Sequence, residues 1–138
     1  MQEPNHDEAV GRAVLALCAA RQELGPADIA GIIEATRTLA GAERAVLHVA
    51  DYALTSARAL TPSGEMGEAY SLKGTLAGRA FTSGELVLAD TTWWLPLVDG
   101  AERLGVLELE YTATPPASEE LLGLLAGLLV LVIISVRR

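Results

Sequence analysis

Cysteine and histidine are scarce in this chain: one cysteine, Cys18, and two histidines, His6 and His48, in 138 residues. A single cysteine excludes an internal disulfide framework and any multi-cysteine metal site, and it fits a reducing cytosol. Two histidines and one cysteine build no convincing Ser-His-Asp or Cys-His set, so no catalytic constellation is expected. Basic residues are few as well, with 10 Lys and Arg against 18 Asp and Glu and a formal charge of −8. Such a surface repels phosphates at long range, which disfavours nucleic acid and anionic membranes as partners. The first ten residues, MQEPNHDEAV, lack the basic and apolar regions of a secretory signal. Asp51, Asp90 and Asp99 stand apart at strand ends or turns without metal-ligand spacing, and solvated surface is their expected place. The chain has no internal repeat and no low-complexity linker.

What is there is an apolar chain with regular patterning. At 138 residues and 51% hydrophobic composition it reads as one domain with a real core. Residues 1–7 are expected to be frayed. Over 8–24, Val10, Ala13, Leu17, Ala20 and Leu24 follow the 3-4-3-4 spacing of a heptad-like seam on a helix. Gly25-Pro26 ends that helix, and Pro26 suits the first turn of the next. The second helix, over 27–40, puts Ile29, Ile32, Ile33, Thr36 and Leu39 on one face, with Gly41 as its stop.

Strands follow. Residues 44–51 (RAVLHVAD) read as a central strand, 52–61 (YALTSARALT) as its antiparallel neighbour and 65–70 as a short edge strand after a Pro62-Ser63-Gly64 turn. Residues 72–81 form a short helix containing Gly74 and Gly78 and closed by Ser83-Gly84, and 86–89 a brief strand. Asp99-Gly100 lies between the apolar runs 93–98 and 104–109, a strong hairpin signal because both residues tolerate positive φ. In the second arm Leu107, Leu109 and Tyr111 alternate with Glu108 and Glu110, one face towards a core and one towards water. Pro115-Pro116 ends the sheet region. Ser118 then caps a last helix, with Glu119 and Glu120 at its positive end. The order defines an α+β fold: one antiparallel sheet with the terminal helices packed together on one face.

At this point the residues resemble a GAF domain. The pattern GTLAGRAFTSGELVLAD, followed by WLPLVDGAERLGVLELEY, is similar to the second half of that family, and the resemblance covers 26–111. It implies a six-stranded antiparallel sheet (GAF-like, related to PAS), with a ligand pocket on one side and helices on the other that commonly pair two protomers. The domain would span 8–138, with a core over 26–111 and a C-terminal helix over about 118–138. The wording is closest to GAF domains of actinobacterial signalling proteins, which often precede a PP2C-type (SpoIIE-like) phosphatase or a histidine kinase. The resemblance therefore implies a non-catalytic, cytoplasmic sensory module that forms a homodimer, binds a small ligand and controls a phosphatase or kinase output domain outside this chain. The alternative is a ligand-free dimerisation or protein-interaction scaffold.

Known family cofactors find no support in these residues, and the ligand stays unnamed. The Asn-Lys-Phe-Asp-Glu run of cyclic-nucleotide binders is absent. Bilin attachment needs a pocket cysteine, and Cys18 lies in the first helix. Reduction of free methionine sulfoxide needs several cysteines, and one has no resolving partner. The glycines of GTLAGRAFTSGE are no P-loop, because Gly78 is followed by Arg79-Ala80 rather than Lys and Ser or Thr.

His48, in the central strand, is either a haem or pH-responsive group or a hydrogen-bonded sheet residue. Trp93 and Trp94 are adjacent, so on a strand they face opposite sides, one towards the helical core and the other towards pocket or solvent. Either can form an aromatic ligand wall or plain packing. Arg79, Thr91 and Thr92 complete the ligand-binding candidates.

The last helix poses a separate choice. Residues 121–136 are 16 uncharged residues and include the G-x-x-x-G of Gly123 and Gly127. At 1.5 Å each they span about 24 Å, short of the roughly 30 Å of a bilayer core, so a helical dimer bundle is expected over a membrane span. The interface candidates are Val10, Leu17, Leu24, Leu121, Leu125, Leu128 and Val132.

Overall fold

The computed structural model of the chain describes residues 29–51, 53–61, 63–100, 102–113 and 119–137. The expected first helix, with Val10, Leu17, Cys18 and Leu24, lies outside the described residues, as do His6, Ser118 and the Pro115-Pro116 pair. Helix α1 (Ile29–Ala40) buries Ile32, Ile33, Thr36 and Ala40, the apolar stripe of a 3.6-residue period, and the Thr36 hydroxyl is satisfied by donating to the Ile32 carbonyl at 2.8 Å. It stops where the sequence says it should. Gly41 takes φ +68°, its N–H meets the Thr38 carbonyl at 3.2 Å, and the Ala42 N–H reaches back to Arg37 at 3.1 Å. That is the paired capping pattern that closes the orphan carbonyls of a helix end.

The sheet has six antiparallel strands in the order β3-β2-β1-β6-β5-β4. They are β1 (Arg44–Ala50), β2 (Ser56–Leu60), β3 (Tyr70–Ser71), β4 (Val87–Ala89), β5 (Thr92–Asp99) and β6 (Glu102–Glu110). Because side chains alternate across a strand, the sheet carries two different faces. Ala45 and Leu47, Trp93, Leu95 and Leu97, and Leu107 and Leu109 form one face, and they pack in a single cluster with Ile32 and Ile33 of α1 and with the last helix. That helix, α3 (Glu119–Arg137), buries Leu122, Leu125, Ala126, Leu129, Val130, Val132 and Ile133 in this core. Tyr111 locks the layers together, its hydroxyl donating to the Ala40 carbonyl at 2.9 Å.

The opposite face is covered by helix α2 (Leu76–Ser83), whose Ala77, Ala80 and Phe81 join Ala57, Leu72 and Val106 in a second cluster. Thr75 caps α2 by accepting the Gly78 N–H at 2.9 Å, and Gly84 closes it at φ +70°. Gly78 must be glycine: a Cβ there would stand 1.9 Å from the Leu72 carbonyl oxygen.

Three local expectations need correction. The strand expected over 65–70 shrinks to Tyr70–Ser71 plus an isolated bridge between Leu60 and Met66. Residues 63–69 bury no side chain, so nothing holds them to a pleat; instead the Gly67 N–H reaches the Ala59 carbonyl and the Gly67 carbonyl accepts from Arg58 Nε, both at 2.8 Å. Strand β2 starts at Ser56 rather than 52, because the Asp51 carboxylate accepts the Thr55 and Ser56 N–H groups at 3.0 and 3.2 Å and fixes a turn there. The short helix starts at Leu76 rather than 72, because Gly74 sits at φ +79° ahead of the Thr75 cap. As for the last helix, no helix among the described residues is long and apolar enough to cross a membrane.

Candidate functional site

The α2-covered face carries the polar groups. His48 is central on β1, its neighbours being Ala59 on β2 and Val106 on β6. It is only 8% exposed, yet both ring nitrogens are used. Nε2 lies 2.8 Å from Glu108 Oε1 on β6, and Nδ1 lies 2.6 Å from the Tyr70 hydroxyl on β3. A carboxylate can only accept, so Nε2 carries a proton; in the neutral tautomer Nδ1 then accepts the Tyr70 O–H. The three residues form a continuous hydrogen-bonded row, Tyr70–His48–Glu108, running from the edge strand to the sheet centre.

Trp94 closes the cluster. Its ring lies 5.5 Å from the imidazole, tilted by 38°, while Tyr70 meets the imidazole edge-on at 5.7 Å and 89°. The Trp94 indole N–H is buried without a hydrogen-bond acceptor among the described residues. A buried donor left so is a costly arrangement, about 1–3 kcal/mol, and it marks a place where an acceptor atom would be stabilising.

Burial sets the electrostatics. It pushes the Tyr70 phenol above its ordinary value of 10.0, with the Glu108 charge adding in the same direction, and burial alone raises Tyr111. A phenol whose folded value is raised stabilises the fold fully below its unfolded value and loses that contribution as pH climbs through the folded value. The melting temperature should therefore fall above about pH 10, and Tyr70→Phe and Tyr111→Phe should each flatten that fall. Thermal melts from about pH 8 to 11 check this; unchanged slopes in both variants would contradict it.

Of the residues the sequence suggests for a ligand, His48 and Trp94 meet in this cluster. Trp93 faces the other way, into the helical core, as its parity requires, and its indole N–H too is buried without an acceptor among the described residues. Thr91 and Thr92 lie at the β4–β5 turn, where the Thr91 carbonyl accepts the Tyr111 N–H at 2.9 Å and Thr92 pairs with Ala89 and Glu110. Arg79 is exposed on α2 and lines, with Ser71, Lys73 and Thr75, a surface groove of about 760 Å³ that excludes His48. A second cavity of about 590 Å³ lies on the helical face, lined by Ile29, Leu47, Val49, Leu97 and Ile133 with Asp51, Glu102 and Arg103. The His48 cluster itself is closed, its side chains in direct contact.

Two members, Tyr70 and Glu108, are absent from the sequence expectation. Glu108 has the parity assigned to water, but α2 and Trp94 cover that face. A haem or other metal at His48 would have to displace Tyr70 or Glu108, since neither ring nitrogen is free. Among the described residues no group of three or more His, Cys, Asp or Glu side chains gathers to hold a metal.

On α3, Leu125 and Val132 are buried and Leu121 and Leu128 half-buried, while Glu119, Glu120, Gly123, Leu124, Gly127 and Leu131 are the exposed positions among the described residues. Val10, Leu17 and Leu24 lie outside the described residues.

A six-stranded antiparallel sheet between a short covering helix and a pair of helices on the opposite face is the GAF fold. The comparisons agree. The chain superposes on the GAF domain of a phosphoenolpyruvate-protein phosphotransferase from Coxiella burnetii with a TM-score of 0.80 at 11% identity, covering 96% of this chain and 95% of that one. Free methionine-R-sulfoxide reductase from Neisseria meningitidis, in complex with its substrate, follows at 0.70 and 14%, covering 99% and 95%. The GAF-B domain of DevS from Mycobacterium smegmatis gives 0.61 and 18%, covering 77% and 88%. No model of a known protein family matches the sequence, and no curated protein matches it significantly. Likeness at such identities carries the fold and not the activity.

Proposed function

We propose that this chain is a non-catalytic sensory domain of the GAF type that binds a small ligand beneath α2 and self-associates through its terminal helices to control a signalling output. The observation that carries this is the Tyr70–His48–Glu108 row beside the unpaired Trp94 indole N–H. Binding groups of this kind, buried and hydrogen-bonded to one another, give orientation and specificity to a small molecule rather than affinity for a macromolecule. The cluster is closed, so entry requires the exposed 63–69 segment and α2 to move. Ligand binding would thereby be coupled to the segment between β2 and β5, and through the sheet to the helices behind it. A phosphatase or kinase domain outside this chain, in a reducing cytoplasm, is the output such a domain would serve. The similarity to a methionine sulfoxide reductase suggests an enzyme as the other class, but Cys18 is the only cysteine and no second thiol is available to resolve an oxidised one.

Thermal-shift screening of a panel of small polar and aromatic metabolites tests the proposal. A true ligand at about one hundred times its Kd stabilises the domain by about 2.7 kcal/mol, with a melting temperature that rises with concentration. Trp94→Ala and Glu108→Gln should weaken that ligand at least about tenfold, the loss of one good contact. The closed cluster equally fits a ligand-free scaffold, and a panel in which no compound shifts the melting temperature would favour that second reading.

A further inference from the structure

Glu108 is a carboxylate in apolar company. Its side chain is 15% exposed, and across the strands it stands between Val46 on β1 and Trp94 on β5. Oε1 accepts the His48 Nε2–H at 2.8 Å, and among the described residues no hydrogen bond reaches Oε2. No Lys or Arg among the described residues forms an ion pair with it. Glu110, the next acid on that face, is paired with Arg44 at 3.4 Å. The Arg103 guanidinium lies over the Phe81 ring, 5.9 Å from its centroid. From β2 and α2 come Ala57, Ala77, Ala80 and Phe81, none of which titrates. Tyr70 is the other titratable neighbour, and burial, followed by the Glu108 charge, keeps its phenol protonated.

A buried carboxylate facing one neutral donor is short of positive charge. The chain itself offers only the proton that His48 can take up. The Trp94 ring, 5.5 Å from the imidazole, adds to the demand, because aromatic faces attract cations. A negative ligand would meet a carboxylate and no base. The Trp94 N–H, buried and without an acceptor among the described residues, sets a second requirement.

Tyr70 is the member able to yield its place. Strand β3 is joined to β2 by two residue pairs, and the 63–69 segment before it buries no side chain. Once the Tyr70 hydroxyl leaves, His48 Nδ1 is a free acceptor, made more basic by the carboxylate that holds Nε2–H. An ammonium N–H donates there as the phenol did. It also brings the charge that the phenol lacks.

From these observations we propose that the ligand is a small organic cation, an ammonium group joined to an uncharged hydrogen-bond acceptor, seated between Trp94 and His48 in place of the Tyr70 hydroxyl. This rests on the ligand reading above and names its chemical class. Phosphorylated compounds and carboxylates are the classes it excludes. A proton on His48 opposes such a ligand, so binding should tighten as pH rises through the range in which histidine loses its charge.

Three probes that share a pyridine nitrogen and differ in charge near neutral pH test the class: meta-picolylamine, nicotinyl alcohol and nicotinate. The readout is the Trp94 indole N–H signal in nitrogen-15 NMR of the full chain, assigned with Trp94→Phe. The cation should bind at least about tenfold more tightly than the neutral alcohol, and nicotinate more weakly still. Affinity for the cation should fall at least about fivefold from about pH 7.5 to 6. Glu108→Gln should bring the cation and the alcohol within about twofold of each other. If that variant does not fold, the ranking and the pH trend of the unmodified chain decide alone. Alcohol or nicotinate bound as tightly as the cation, or a cation that tightens as pH falls, would overturn the charge class and leave a ligand under α2 standing. A Trp94 signal that none of the three moves at about 10 mM would overturn the proposal outright, while the wider thermal-shift panel judges the sensory reading separately.

Discussion

Gly105→Ala should cost the domain about 3 kcal/mol or prevent it from folding, although it adds a single methyl group. Gly105 lies on β6 opposite Val49, where β1 presses closest. A Cβ built at this position would sit 2.1 Å from the His48 carbonyl oxygen and 3.2 Å from its carbonyl carbon. Neither atom can swing aside as a side-chain tip would, because both belong to the central strand. Relief requires β1 and β6 to separate at the residue that also carries the buried imidazole. The change should therefore do two things at once: lower the melting temperature by roughly 10 °C and loosen the Tyr70–His48–Glu108 row. Thermal melts followed by circular dichroism read the first effect. A variant as stable as the parent would show that the two strands do not approach as described.

Leu107→Ala should be of similar size, about 3–4 kcal/mol, for a different reason. Leu107 is fully buried on β6, between Leu47 on β1 and Leu95 on β5. Its cluster includes α1 and α3, so truncation opens a cavity where three layers of side chains meet. The sheet on one side and two helices on the other leave little room for collapse, which puts the expected cost towards the upper part of the range for such changes. Leu131→Ala makes the comparison useful. The same substitution at a position 61% exposed should change unfolding of the protomer by no more than about 0.5 kcal/mol. Urea unfolding with unchanged m-values measures both, and near-equal losses would contradict the assignment of one leucine to the core and the other to an outer face.

How much of this could be read from the chain depends on which signals are local. Gly41, Gly84 and the 3.6-residue stripe of Ile32, Ile33 and Thr36 speak for themselves, because a helix and its caps involve neighbours in sequence. Leu107, Leu109 and Tyr111 were equally legible as a core-facing parity. The site was not, because alternation puts Glu108 off the core face without showing that α2 covers the other one, and because one extra residue sets what stands opposite it. Counting back from the tight turn at Gly100, Asp99 pairs with Glu102 and Val98 with Arg103, which would set Trp94 across from Leu107. A bulge between Leu97 and Val98 shifts the register by one, so Trp94 stands across from Glu108 instead. Such a shift exchanges the two faces of the sheet for every residue beyond it. With it, Glu108 faces the tryptophan across the pair, while its contact with His48 comes from the regular β1–β6 pairing under α2.

Tyr70 was hidden for a related reason. The 65–70 segment reads as an edge strand, but Gly67 and its lack of apolar alternation leave only an isolated bridge at Met66 and the last residue, Tyr70, paired. That residue happens to be the one whose hydroxyl reaches His48. On α3 the apolar run is so complete that periodicity cannot say which leucines face inward. The seam of Leu121, Leu125, Leu128 and Val132 is as regular as the outward stripe, and only packing against β5 and α1 separates them.

The most direct test of the site is nitrogen-15 NMR of the histidine side chains, with His6→Ala assigning the two rings. The account predicts that His48 carries its proton on Nε2, facing Glu108, with slow solvent exchange, and that its signals move when a compound that raises the melting temperature is added. A ring protonated on Nδ1, or one exchanging freely with water and unmoved by such a compound, would contradict it.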